Sequence, residues 1–167
     1  MQKYSKFMIV LHWATALLIL AAYFTGEGGR STHLDPPTLH FLLGLSVLVL
    51  IVPRLIARLF GGAPPAISHG RLMDLGAKIG HGLLYLLMIA LPLSGWYAAS
   101  KMGVTIDLYG LVLPSLTAPV EGRPGLIADL HETGGSLILI LAGIHATMAL
   151  WHHFVLRDGT LTRMSPA

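Results

Sequence analysis

The chain has 167 residues, of which 54% are hydrophobic and only 11% charged, against roughly 25% charge in a typical soluble domain. A mean hydropathy of +0.70 points to membrane lipid as the main solvent, and a formal charge of +3 is too small to argue for nucleic acid. The absence of Cys excludes disulfides, iron–sulfur clusters, thioether-attached haem and Cys-ligated zinc, so any metal chemistry must draw on the nine His.

A membrane-spanning helix needs about 20 mostly apolar residues, and four windows qualify. The first, 7–24, is uncharged. The small residues after Phe24 come with Glu27 and Arg30 rather than a cleavage pattern, so this segment is expected to be kept rather than removed as a signal peptide. The second, 39–60, carries Arg54 beside Pro53 near its end. The third, 72–97, contains Pro92, tolerable in a membrane bundle as a kink. The fourth, 128–156, is uncharged from Gly134 to Trp151. The expected architecture is an all-α, integral membrane four-helix bundle forming one domain over 1–167. Residues 61–68 read as linker. The long loop 98–129 is a candidate lid over the outer surface.

One side of such a bundle collects Lys3, Lys6, Arg54, Arg58, Arg71, Lys78, Arg157 and Arg163, and the other only Arg30, Lys101 and Arg123. The positive-inside rule then places both termini in the cytoplasm.

On the fourth helix, His131 and His145 are fourteen residues apart. This returns to within roughly 40° of the same face and separates them by ~21 Å along the axis. Two stacked sites follow, each needing an opposite side chain at matching depth. His40 matches His131 towards the outer leaflet. His12 matches His145 towards the inner one, although His81 lies at a similar depth. Residues one turn after the candidates are small: Ala16, Gly44, Gly135 and Ala149 follow His12, His40, His131 and His145, whereas Tyr85 follows His81 and Leu156 follows His152. A porphyrin edge against a helix needs such neighbours, as close helix packing also does.

A lone intramembrane His is most simply an interhelical hydrogen-bonding group. Four His at two depths favour haem ligation instead, because polar side chains in the bilayer are costly and usually functional. Zinc wants three or four ligands where each depth offers two. At the inner end, Arg71, Lys78 and His81 share a helical face, and His152 lies seven residues after His145. That polar cluster suits hydrogen bonding to a quinone carbonyl and proton delivery, or headgroup anchoring by Arg71 and Lys78. His33 and His69 fall beside Pro or Gly and read as solvated loop residues, and His153 as interfacial.

With these residues in hand, the chain resembles the bacterial cytochrome b561 family over nearly its full length. The matching features are Leu11-His12-Trp13, His40 with Gly44, His81 to Tyr85, the Leu91-Pro92-Leu93-Ser94-Gly95-Trp96 run, His131-Glu132, His145, and the tail from Trp151 to Thr160. The resemblance implies two haems b, an inner one held by His12 and His145 and an outer one by His40 and His131. It also implies a ubiquinone site near the inner haem at Arg71, His81 and His152. The implied activity is superoxide oxidase: periplasmic superoxide is oxidised to dioxygen and its electrons cross the bacterial inner membrane to ubiquinone.

A superoxide collector should present positive charge. Lys101 is the candidate steering group, although Arg30, Lys101 and Arg123 face Glu27, Asp35, Asp107, Glu121, Asp129 and Glu132 on that side. Two rival readings are an anchor subunit relaying electrons from a soluble dehydrogenase or hydrogenase partner, and a His-based metal transporter.

Overall fold

In a computed structural model the chain is described for residues 2–26, 37–61, 63–65, 67–121 and 125–165. Glu27, Arg30, His33, Asp35 and Arg123 lie outside the described residues. With no water in a bilayer core, every backbone group must be paired within the chain, and long apolar helices are the simplest solution. Four form: α1 (Lys6–Thr25), α2 (Thr38–Phe60), α3 (Arg71–Lys101) and α4 (Leu126–Trp151). All are long and apolar enough to cross a membrane. The protein is therefore mostly helical, with four candidate spans.

Local chemistry sets the ends of these helices. The Ser5 hydroxyl caps α1 by accepting from the Met8 N–H at 3.2 Å. At the end of α3, Gly103 takes a positive φ of 70°, and the Val104 N–H turns back to the Ala99 carbonyl at 3.0 Å. The end of α4 widens into a π-type turn, His152–Leu156, closed by Arg157 in the left-handed region (φ 52°). The chain there doubles back towards α4.

Both termini lie at one end of the bundle. The Tyr4 N–H donates to the Arg163 carbonyl at 3.3 Å, and the Trp13 indole N–H to the Met164 carbonyl at 2.8 Å.

Few side chains are fully buried, as expected where lipid covers the outside: Val10, Leu17, Val49, Leu86 and Ile140 are all exposed. The main core cluster is a thin layer of Val47 and Ile51 (α2), Met88 (α3) and Ile138 (α4), with Ile19 of α1 packed against it.

This layer belongs to a seven-residue register that runs through all four helices: His12, Ile19, Gly26; His40, Val47, Arg54; His81, Met88, Gly95; and His131, Ile138, His145, His152. Such a repeat keeps one seam facing the bundle axis when helices pack at shallow left-handed angles. The bundle interior therefore has a polar level far from the termini (outer), an apolar middle and a polar level near them (inner).

The α3–α4 loop closes the outer end. It carries a short hairpin, β1 (Asp107–Leu108) with β2 (Leu111–Val112), paired Asp107↔Val112 and Leu108↔Leu111. Tyr109 (φ 55°) and Gly110 (φ 100°) make the tight turn, and the Gly110 N–H donates to the Asp107 carboxylate at 2.6 Å. Val104 and Ile106 from this loop, with Ala99, form a second core cluster against Phe41, Leu45 and Trp96. Trp96 also donates to the Pro114 carbonyl at 3.0 Å. The loop is thus an ordered cap, held by apolar burial and by hydrogen bonds to α3.

Candidate functional site

At the outer level, α2 and α4 bring His40 and His131 together with ring centroids 5.9 Å apart. Each ring is oriented from behind. His40 Nδ1 lies 2.8 Å from the Ala22 carbonyl, and His131 Nδ1 lies 3.0 Å from the Leu91 carbonyl and 3.2 Å from the Ser94 hydroxyl. A carbonyl only accepts, so both Nδ1 atoms carry the proton and both Nε2 atoms keep a lone pair for a metal.

Close approach at this level depends on Gly95. A Cβ there would sit 2.7 Å from His131 Cε1, so any side chain would displace the ring. One turn from the histidines, by contrast, a Cβ on Gly44 or Gly135 would meet no atom within 4 Å. Both glycines border open space.

At the inner level three histidines converge. His145 lies 6.2 Å from His12 and 5.1 Å from His81, centroid to centroid. Arg54, the inner member of the α2 seam, donates from Nη2 to His12 Nδ1 at 2.8 Å. Its Nε is buried without a hydrogen-bond partner among the described residues. Arg54 and Arg58 also stack on Tyr85, at 5.5 and 6.0 Å from the ring centroid.

The donor set suits haem. Two imidazoles on opposite sides of one metal, with metal–nitrogen bonds of about 2 Å, place their ring centroids roughly 6 Å apart. His40–His131 and His12–His145 match that separation, whereas His81–His145 falls short of it. The unpaired Arg54 Nε is a ready donor for a carboxylate, which haem carries as propionate. Buried polar atoms normally have such a partner.

The positions assigned to quinone do not form one contact group. Arg71 and Lys78 are exposed at the start of α3, and His81 turns inward to His145. His152 is held elsewhere: its Nδ1 lies 2.5 Å from Asp158 Oδ2, and the same oxygen is 2.7 Å from His69 Nε2.

His69 corrects the sequence reading. It is no solvated loop residue, since its side chain is only 23% exposed and its ring centroid lies 5.0 Å from that of His152. Burial alone would raise the Asp158 carboxyl, but hydrogen bonds from His152, Thr160 and His69 outweigh it and hold the group well below the usual carboxylate range. At the outer end, the Lys101 ammonium sits 5.7 Å from the Tyr97 ring.

Sequence reasoning missed Arg54, Ser94, His69 and Asp158 as site-forming residues. A signal for Arg54 existed: it follows His40 by fourteen residues, the spacing that relates His131 to His145. Asp158 and His69 carried none, because their meeting depends on the π-type turn and on a linker 89 residues away in sequence.

Comparison with known proteins gives the family. The family profile described as prokaryotic cytochrome b561 matches residues 3–167. The chain is 32% identical over 170 residues to the probable superoxide oxidase CybB of Yersinia pestis, covering 99% of this chain and 97% of that one. It is 31% identical over 173 residues to cytochrome b561 homolog 1 of Escherichia coli K12, covering 99% and 98%. It is also 32% identical over 172 residues to cytochrome b562 of Cereibacter sphaeroides, covering 96% and 94%. With a family match over nearly its whole length and relatives above 30% identity, this chain belongs to the prokaryotic cytochrome b561 family, haem b-binding membrane cytochromes of electron transport.

Proposed function

We propose that the chain is a dihaem cytochrome b of the bacterial inner membrane that oxidises superoxide at the periplasmic face and passes the electrons to ubiquinone near the cytoplasmic face. The observation that carries this reading is the pair of facing histidine couples at two levels of one bundle, 5.9 and 6.2 Å between centroids. His40 and His131 hold the outer haem and His12 and His145 the inner one. Haem b, when bound, supplies a carrier for one electron at each level.

The chain's own residues do the rest. The backbone carbonyls of Ala22 and Leu91 fix the outer imidazoles in the ligating tautomer. Val47, Met88 and Ile138 keep water out of the space between the two levels. The end bearing both termini also carries Arg54, Arg58, Arg71, Lys78, Arg157 and Arg163, and the positive-inside rule supports its placement in the cytoplasm.

At the opposite end, Lys101 supplies positive charge to draw in an anion. Arg71, His81 and His152, at the cytoplasmic end, would bind the quinone from their separate positions around the inner level and deliver its protons. Two superoxide ions, one quinone and two protons then yield two dioxygen molecules and one quinol. The relative named a probable superoxide oxidase, aligned over 99% of this chain, supports the choice of donor.

The test has two stages. A pyridine haemochrome assay on the purified protein is expected to give two b haems per chain, and a value of one or none would refute the dihaem scheme. Superoxide pulsed onto the oxidised protein with ubiquinone present should then reduce the quinone faster than it does with haem-free protein. Equal rates would remove superoxide as the donor while leaving the cytochrome assignment intact.

A further inference from the structure

Beyond the inner level, three side chains from separate stretches of the sequence converge on one point. His69 comes from the linker before α3, His152 from the end of α4, and Asp158 from the returning tail. One ring nitrogen from each histidine and a carboxylate oxygen of Asp158 all lie within 4.8 Å of one another. The carboxylate is itself oriented, since Asp158 Oδ1 accepts from the Thr160 N–H at 2.8 Å. The Asp158 side chain is 8% exposed and that of His152 16%, so the group is sheltered yet reachable from the aqueous end.

We propose that His69, His152 and Asp158 form a binding site for a divalent first-row transition-metal ion of the zinc type. Two imidazole nitrogens and one carboxylate oxygen are the donors that zinc and its neighbours take in open three-ligand sites, with water completing the shell. Calcium and magnesium are disfavoured because they want mostly oxygen ligands, and copper(I) because no thiolate or thioether joins the group.

In the metal-free chain both ring nitrogens donate to Asp158 Oδ2, at 2.5 and 2.7 Å, and opening these contacts to the roughly 3.3 Å that separates two ligand atoms on one tetrahedral metal needs a shift of less than about 1 Å. Shifting each ring's proton to its other nitrogen frees the lone pair that faces the carboxylate. A bound ion then replaces the hydrogen-bonded bridge and ties the α2–α3 linker to the C-terminal tail. The haem-ligand positions are not involved, and His152, which the proposed function also places at the quinone, is the one residue that the two sites share.

The experiment uses tag-free, haem-loaded protein stripped with a chelator, titrated with zinc sulfate by calorimetry and then assayed for bound metal. One zinc per chain is expected, with a zinc-dependent rise in the melting temperature. His69→Gln and Asp158→Asn should each weaken binding by about tenfold or more, and the double variant should abolish both the heat and the thermal shift. His153→Ala, next to the triad but outside it, should bind like the native chain. An unchanged haem spectrum marks each variant as folded, and His69→Gln, in a linker outside the helices, keeps the test open if Asp158→Asn fails to fold. Absence of zinc binding to the native chain, or binding that both triad variants retain, would overturn the site.

Discussion

The outer and inner levels share one register and one chemistry, yet they are built differently. The outer level has two histidines facing two glycines, Gly26 and Gly95, whose missing side chains leave the rings room. Both outer imidazoles are braced by backbone carbonyls. The inner level fills the same four seam positions with His12, Arg54, His81 and His145. There, a cation rather than a carbonyl meets a ring nitrogen, at His12 Nδ1. Because Arg can only donate, that nitrogen accepts, which puts the His12 proton on Nε2. Under the proposed ligation the backbone sets the outer pair for a metal, while the inner pair would need Arg54 to find another acceptor before His12 Nε2 could present its lone pair. Rigid bracing and a responsive charge are two ways of tuning the same ligand type.

Single-ligand deletions give the largest contrast. His131→Ala is expected to lose the outer haem and keep the inner one, with the pyridine haemochrome value falling from two per chain to one. His12→Ala should do the reverse. His81→Ala should keep both haems, because its 5.1 Å separation from His145 is shorter than that of the two couples that would hold them. Loss of the inner haem in His81→Ala together with its retention in His12→Ala would exchange the two roles.

A smaller effect is expected at Gly95. Alanine there places a Cβ 2.7 Å from His131 Cε1, and relieving such an overlap costs about 1–3 kcal/mol. Outer-haem affinity measured by titration should fall roughly ten- to a hundredfold with the inner haem untouched. An unchanged outer affinity would mean that the ring is not held where the carbonyls place it.

Arg54→Gln tests the inner charge. Removing a unit positive charge within about 10 Å of the inner centre, at an effective dielectric near 20, should lower the inner midpoint potential by on the order of 50 mV. The outer potential should move far less. Equal shifts at both levels in a redox titration would show that Arg54 acts on the whole bundle rather than on its own level.

The smallest effect lies below the inner level. Asp158 is held under the ordinary carboxylate range, so its contribution is fully present above the unfolded value of 3.8 and is lost as pH falls through the lower folded value. In chelator-treated protein the tail should stay protease-resistant at neutral pH and become cleavable only in strong acid. Asp158→Asn should loosen it at neutral pH by about 1 kcal/mol. A tail equally protected in the variant would reassign its docking to the Trp13–Met164 contact.

Much of this was legible in the chain. Apolar windows gave four spans because a bilayer admits few other backbones, and α2 begins at Thr38 against an expected 39. The depths of His12, His40, His131 and His145 followed from helical rise alone, since 1.5 Å per residue applies to any helix. Ends were less legible: α3 runs on to Lys101 rather than stopping near 97, because its last turns bury Ala98, Ala99 and Ser100 under the α3–α4 loop. Inward cation placement was hidden as well. Arg54 counted only as a charge near a helix end, although the fourteen-residue spacing from His40 puts it on the seam.

By itself, then, the sequence determined the solvent, the number of spans and the two levels of histidine, because hydropathy and helical periodicity are local properties that need no partner. Tertiary structure alone decided which nitrogen of each outer ring meets a backbone carbonyl, that Gly95 makes room for His131, that Arg54 meets His12, and that His69 and His152 share the Asp158 carboxylate. Each of these depends on a hydrogen bond or a close approach between segments far apart in the chain, and no periodicity within one segment encodes such a meeting.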